Sequence, residues 1–265
     1  MPTPIARVAD TRRVIYQRPS MLSETSTHYC PGCGHGIIHR LVAELLDEMH
    51  LGPTTIGVAS VGCSVFAYEY LPVDFVESPH GRAPAVATGV RRAQPDKFVF
   101  TYQGDGDLAA IGTAEIVHAA ARGERFTAIF VNNGIYGMTG GQMAPTTLLG
   151  QRTTSSPAGR EASLAGYPIP ITEMLALLPG VDYAARGSIA DPSWIGKSKA
   201  MLRRAFDIQR SGGGFSIVEI LATCPIGWGM TPTEALAHVA KDVVKTYPLG
   251  VIVDRPSQAP AEPEA

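Results

Sequence analysis

Long apolar runs are missing from these 265 residues. No stretch approaches the roughly 20 apolar residues of a membrane-spanning helix. The opening MPTPIARVAD also has none of the apolar core that a secretory signal needs. A cytoplasmic location with no membrane partner is the expectation. Charge is scarce and nearly balanced: Asp, Glu, Lys and Arg make up 17% of the chain, and the formal net charge is −2. With no basic stripe either, nucleic acid is excluded as a primary partner. Internal repeats are absent, and cysteine is limited to Cys30, Cys33, Cys63 and Cys224. In a cytoplasmic chain such thiols are not expected to form disulfides, which directs attention to metal or redox chemistry.

What is present is an alternation of strand and helix patterns, long enough for one α/β domain with its own core. An apolar strand pattern over residues 98–102 runs into Gly104-Asp105-Gly106-Asp107. A helical stretch follows over residues 109–121, and a second strand, residues 126–131, ends at Asn132-Asn133-Gly134. Parallel strands joined by a crossover helix put their carboxyl ends on one edge of a sheet, where open α/β sheets bind ligands. The two polar clusters are therefore expected to meet. Asp105 with an Asn at 132 or 133 would supply the oxygen ligands of a hard dication such as Mg²⁺. The glycines would let backbone N–H groups approach a diphosphate at a helix start. Either cluster alone reads as an ordinary strand-end turn.

Elsewhere, residues 37–49 read as a helix with Ile37, Ile38, Leu41, Leu45 and Met49 on one face, and residues 55–61 as a short buried strand ending in Gly62-Cys63. A small-residue helix runs through residue 93. Residues 144–160 are polar and aperiodic, the pattern of a lid, a binding segment or a solvated loop. Helix and strand patterns resume over residues 172–178, 181–185, 193–210 and 215–221. A final helix to residue 246 has Thr231 as its cap and Pro232 in its first turn. Residues 1–20 read as an extended arm, 21–253 as the domain and 254–265 as a disordered tail.

Cys30 and Cys33 flank a Pro-Gly turn before the first helix, while Cys63 and Cys224 are distant in sequence. A thiol–disulfide pair would be expected after a strand in a smaller fold, and zinc favours a second close pair of ligands. The spacing is not that of the compact ferredoxins either. Zinc and iron–sulfur stay open on spacing alone, with inert thiols a weaker reading.

Gly104-Asp105-Gly106 followed across the crossover by Asn132-Asn133 resembles the signature of thiamine diphosphate enzymes. The run Tyr136-Gly137-Met138-Thr139-Gly140-Gly141-Gln142 narrows the resemblance to the β subunit of 2-oxoacid:ferredoxin oxidoreductases. The resemblance implies a doubly wound, mostly parallel sheet of the thiamine diphosphate-binding type. It implies Mg²⁺ held by Asp105, the Asn133 side chain and the Ile135 carbonyl. Cys30, Cys33, Cys63 and Cys224 would together hold one [4Fe–4S] cluster. Val61, Gly62, Cys63, Ser64, His80, Gly104, Gly106, Asp107, Gly137 and Met138 would surround the cofactor, with His80, in Ser78-Pro79-His80-Gly81-Arg82, the catalytic candidate. The reaction implied is oxidative decarboxylation of a 2-oxoacid, with 2-oxoglutarate preferred over a branched-chain substrate, to acyl-CoA and CO₂. Electrons would pass through the cluster to ferredoxin. The chain has no room for the pyrimidine-binding domain and its Glu, so an α subunit is the expected partner, in a hetero-oligomer such as a dimer of heterodimers. The alternatives are a non-redox thiamine-dependent decarboxylase and a non-catalytic zinc-binding subunit.

Overall fold

Uninterrupted apolar runs suit strands covered on both faces, and the computed structural model, which describes residues 14–255, has this arrangement. The strands are β1 (Thr55–Ser60), β2 (Asp74–Ser78), β3 (Phe98–Gly104), β4 (Thr127–Asn132), β5 (Ile135–Tyr136), β6 (Gln142–Met143), β7 (Val181–Ser188), β8 (Phe215–Leu221) and β9 (Gly250–Asp254). Seven of them form one sheet in the order β2-β1-β3-β4-β8-β7-β9, while β5 and β6 pair separately. Every neighbouring pair in the large sheet is parallel except β7 with β9. The helices are α1 (His35–Glu48), α2 (Ala67–Tyr70), α3 (Ala83–Ala93), α4 (Thr113–Ala121), α5 (Ala162–Ala165), α6 (Ile171–Ala176), α7 (Pro192–Arg210), α8 (Pro225–Trp228), α9 (Pro232–His238) and α10 (Val244–Thr246).

Side chains alternate across the sheet and meet two helical layers. Phe98, Phe100 and Tyr102 of β3 and Val218 and Ile220 of β8 pack on one face against Leu41 and Leu45 of α1 and Leu202 and Phe206 of α7. Val99, Ala128, Phe130 and Ile217 pack on the other, against Ala87, Ile116 and Leu175 from α3, α4 and α6. The chain steps from β1 outward to β2 and then back past β1 to β3. This reversal makes the edge between β1 and β3 a crevice, the usual binding place of such sheets. Register then decides what meets there. Gly104 lies opposite Val131, and Asn132 opposite Leu221, so the segments leaving β3, β4 and β8 emerge side by side.

Thr231 caps α9 in a capping box with Glu234, and Pro232 occupies the first turn, as the sequence suggests. Four strands escape that reading, β5 and β6 of the separate pair and two strands of the large sheet. Both β2 and β9 lie at sheet edges and are largely exposed or half-buried, so neither needed a distinctive apolar pattern. Residues 107–111 form a π-helical turn ahead of α4, in place of a plain helix from residue 109. β9 also runs through Asp254, taking in the first residue of the expected tail. The rest of that tail from residue 256, and residues 1–13 of the arm, lie outside the described residues. The remainder of the arm meets α1, where Ser20 Oγ donates to Asp47 Oδ1 at 2.5 Å. Among the described residues no helix is long and apolar enough to cross a membrane.

A buried ionic network ties the sheet together beneath the crevice. Arg186 of β7 is fully buried, 2.8 Å from Glu219 of β8 and paired with both oxygens of Glu173. Glu219 also accepts from Thr172 Oγ1 at 2.5 Å and from Asn132 Nδ2 at 2.7 Å. Removing one member of a buried pair strands the other charge. Arg186→Met is expected to destabilise the chain by about 3–5 kcal/mol, read by urea denaturation, with Arg186→Met/Glu219→Gln recovering part of the loss. Equal stability of the single variant and the parent would mean the pair is not what holds β7 to β8.

Candidate functional site

Asp105 follows β3 directly and is 2% exposed. The Gly106 and Gly134 N–H groups donate to its two oxygens at 2.8 and 2.6 Å, and Thr146 Oγ1 donates at 2.5 Å. Burial nevertheless pushes its pKa up to about 6, against those hydrogen bonds. A carboxylate so placed is short of positive charge. The two asparagines beside it part company. Asn132 turns its amide to Glu219, whereas Asn133 lines the crevice, its carbonyl accepting from Trp228 Nε1 at 3.0 Å. A buried carboxylate lacking a counter-charge, next to an amide oxygen, is a donor set that suits a hard dication.

Val61, Gly62, Cys63, Ser64, His80, Gly104, Asp105, Gly106, Asp107, Asn133, Ile135, Gly137 and Met138 all line one cavity at this edge. His35, Tyr136 and Thr139 line it too, and of these His35 was visible in the sequence only as the end of the Cys-Pro-Gly-Cys-Gly-His segment. His35 is buried, bonded through Nδ1 to the Tyr102 hydroxyl at 3.0 Å, and burial lowers its pKa to about 4. It is therefore a neutral imidazole at ordinary pH. Gly106 permits a close approach: a Cβ there would overlap the Tyr136 ring.

The cysteines line a second cavity, all four together, with His28, Tyr29, Thr154 and the segment from Pro225 to Gly227. Local bonds explain the convergence. The Cys30 to Cys33 turn needs Gly32 at φ +77°. Thr223 Oγ1 donates to the Gly32 carbonyl at 2.6 Å and the Gly34 N–H to the Thr223 carbonyl at 3.1 Å. The turn is thereby pinned to the segment that carries Cys224. A Cβ on Gly137 would sit 3.1 Å from Cys224 Sγ and 3.5 Å from Cys63 Sγ, so both sulfurs face that backbone. Burial raises the pKa of Cys33 to about 12, of Cys224 to about 11, and of Cys63 as well. Cys63, Asn133, Gly137 and Met138 line both cavities, which therefore share a wall. Among the described residues no three His, Cys, Asp or Glu side chains are grouped to hold a single metal ion.

Within residues 144–170, Ala144, Thr146, Thr147 and Arg160 are buried against the domain, while much of the stretch from Leu149 to Tyr167 is exposed. Arg160, 5% exposed, donates to the carbonyls of Ala144, Pro145, Thr147, Ala165, Gly166 and Tyr167 at 2.8–3.2 Å. The segment so gathered delivers Thr146 to Asp105 and Thr147 Oγ1 to the Gly134 carbonyl at 2.6 Å. No periodicity marks these residues, so the sequence carried no signal for them.

Residues 60–220 match the family described as thiamine pyrophosphate enzyme, C-terminal TPP binding domain. The ketoisovalerate oxidoreductase subunit VorA of Methanothermobacter marburgensis is 43% identical over 254 residues, covering 96% of this chain and 53% of that protein. The chain thus spans about half the length of that relative. The 2-oxoglutarate synthase subunit KorB of Archaeoglobus fulgidus is 36% identical over 227 residues, covering 86% of this chain and 79% of KorB. A solved structure of 2-oxoglutarate:ferredoxin oxidoreductase from Magnetococcus marinus, with 2-oxoglutarate, coenzyme A and succinyl-CoA bound, is similar with a TM-score of 0.75 at 25% identity. It covers 92% of this chain and 87% of the matched chain.

The Arg160 contacts make a specific demand on the site. Arg160→Met is expected to cost at least about 3 kcal/mol, since several charge-assisted hydrogen bonds to buried carbonyls vanish together. Hydrogen exchange at the Gly150 and Ile169 amides should accelerate while the sheet stays protected. Unchanged exchange there would show that the segment is held by something other than this guanidinium.

Proposed function

The chain belongs to the thiamine pyrophosphate-binding β subunits of 2-oxoacid:ferredoxin oxidoreductases, and on that footing we propose that it supplies the diphosphate half of a shared active site for oxidative decarboxylation of a 2-oxoacid to its acyl-CoA. The observation that carries this reading is the common wall of the two cavities, one lined by Asp105 and Asn133 and the other by four thiols. Asp105, the Asn133 side chain and the Ile135 carbonyl would hold Mg²⁺, relieving the buried carboxylate of its missing counter-charge. Gly104, Gly106 and Gly137 leave backbone open to a diphosphate, and Val61, Gly62, Ser64, His80, Asp107 and Met138 bound the same space. Thiamine diphosphate, when bound, supplies the nucleophilic carbon and the electron sink for loss of CO₂. His80 offers a proton-transferring group on that cavity.

Cys30, Cys33, Cys63 and Cys224 would bind a [4Fe–4S] cluster. The same four thiols could hold a structural zinc, and iron content with the visible spectrum decides between the two. A non-redox decarboxylase would have no use for thiols on the cofactor's wall. The partner would be an α subunit carrying the pyrimidine domain, and ferredoxin and coenzyme A, both named with the Magnetococcus enzyme, would be further reactants. The assembly would be a hetero-oligomer such as a dimer of heterodimers. On substrate, a second reading has its own support. Among the described residues no Lys or Arg lines the cofactor cavity, where the distal carboxylate of 2-oxoglutarate would need a cation. The identity to the ketoisovalerate subunit is also higher, 43% against 36%. Both point toward a branched-chain 2-oxoacid.

Two orthogonal losses test the cofactor assignments in the purified assembly. Asp105→Ala should lose thiamine diphosphate and Mg²⁺ while keeping iron content and visible absorption. Cys224→Ala should bleach the visible spectrum while cofactor retention persists. Full cofactor occupancy in the first variant, or unchanged iron in the second, would remove the respective assignment.

The isolated chain, loaded with Mg²⁺ and thiamine diphosphate, should oxidise no 2-oxoacid. Adding the α subunit should restore coenzyme A-dependent ferredoxin reduction. Comparing kcat/KM for ketoisovalerate and 2-oxoglutarate then decides the substrate class. Turnover by the single chain, free of other subunits by mass spectrometry, would sink the shared-site reading.

A further inference from the structure

His80 stands on the loop between β2 and α3, with its side chain 34% exposed on the cofactor cavity. Its Nδ1 lies 3.0 Å from the Val61 carbonyl oxygen and 2.8 Å from Asp107 Oδ1. Both neighbours are acceptors only, since a backbone carbonyl has no proton and the carboxylate is itself surrounded by donors. Asp107 is 3% exposed. Its Oδ1 accepts from Ser60 Oγ at 2.6 Å and from the Gly81 N–H at 2.6 Å, and its Oδ2 accepts from Gln103 Nε2 at 2.5 Å. Every other group facing Asp107 donates to it, and the Val61 carbonyl beside Nδ1 can only accept. Nδ1 must therefore carry a hydrogen, and in the neutral ring Nε2 is then the bare nitrogen. Among the described residues Nε2 has no hydrogen-bond partner.

The loop is fixed as firmly as the ring. Gly81 sits at φ +77°, and a Cβ there would meet Ile111 and Gly112 at 2.7–2.8 Å. Arg82 Nη1 donates to the Ile111 carbonyl at 3.1 Å. The π-helical turn at residues 107–111 thus serves as the bed of the His80 loop, and Asp107 is its first residue.

We propose that Asp107 is a positioning residue that acts through His80: its carboxylate holds the imidazole with hydrogen on Nδ1 and presents Nε2 to the cofactor cavity as a proton acceptor. The resemblance implies that Asp107 is among the residues around the cofactor, and it does line that cavity, with both its oxygens accepting hydrogen bonds within the chain. When Nε2 takes a proton from a bound molecule, the imidazolium is stabilised by the carboxylate at Nδ1, and the same nitrogen returns the proton later. No electrons change hands in this transfer. The proposal rests on the thiamine-dependent reading of the site, but its structural half does not.

That structural half is measured on the full chain labelled with ¹⁵N-histidine. Long-range ¹H–¹⁵N spectra, with the His80 signals identified by their loss in His80→Gln, should show a protonated Nδ1 and a bare Nε2. A bare Nδ1 in the parent chain would overturn the proposal without any need for an Asp107 variant to fold. In the assembled enzyme, Asp107→Asn should leave bound thiamine diphosphate and KM nearly unchanged while lowering kcat roughly 10²-fold, the usual scale of one acid–base group. An amide that donates to Nδ1 should reverse the tautomer. Asp107→Asn/His80→Gln should be no slower than His80→Gln alone, since the two act as one unit. Additive losses, or loss of cofactor with an unchanged rate per occupied site, would assign Asp107 to cofactor binding and overturn the proposal. Failure of thiamine diphosphate to bind the parent enzyme would instead count against the function, and leave the tautomer result intact.

Discussion

A carboxylate withdrawn from water at the end of a central parallel strand is the constraint on which the rest of this structure depends. Asp105 gains three hydrogen bonds and still sits with its pKa pushed up by burial. The cost of burying such a charge is several kcal/mol unless an opposite charge joins it. Much of the surrounding architecture exists to hold the residue at that point. Thr146 is buried for this purpose, and Arg160 gathers the chain that carries Thr146. Tyr247 closes the other side, its hydroxyl donating to the Thr146 carbonyl at 3.2 Å. A dication held by the same oxygen atoms would turn this cost into affinity.

The second constraint is proximity between unlike chemistries. The β1 turn carries Cys63, and the glycine-rich segment after β5 brings Gly137, with no side chain, against the sulfurs of both Cys63 and Cys224. Thiols in this setting resist ionisation, with Cys33 and Cys224 raised to about 12 and 11. A metal centre bound there would drive thiolate formation and couple its occupancy to proton release. On the wall of the cofactor cavity it would keep any electron path short. Val61, Met138 and Ile226, which line one or both of the two cavities, are exposed apolar side chains.

Beneath both cavities runs a line of neutral and ionic polar groups that keeps the strand ends in register. Asn132 is held by Glu219, and Glu219 by Arg186 and Thr172. Fixing Asn132 also fixes the direction in which Asn133 leaves the strand. On the other side of the sheet, His39 stacks on Tyr102 with ring centroids 4.6 Å apart, and Tyr29 donates to or accepts from His39 at 2.7 Å. Burial lowers the pKa of His39 to about 3, so this aromatic packing carries no charge at ordinary pH.

The order of elements and the identity of the two polar clusters could be read from the sequence because they depend on local rules. Strand and helix periods, turn glycines and the cap at Thr231 each act within a few residues. An α/β domain followed from that alternation, and the meeting of Asp105 with the Asn132-Asn133 cluster was expected from the geometry of a crossover, while the structure separates the two asparagines. What escaped depends on partners distant along the chain. The edge strands β2 and β9 are recruited by neighbours and need little apolar pattern of their own. Arg160 and Thr146 have no local signature, because their role arises only when residues 144–167 fold back onto Asp105. Asp107 shows the difference most plainly: the resemblance puts it among the residues around the cofactor, and only the fold brings Ser60, Gln103, His80 and Gly81 onto its carboxylate. Short-range backbone preferences are written residue by residue. The bonding partners of a buried charge are chosen by the packing of the whole sheet.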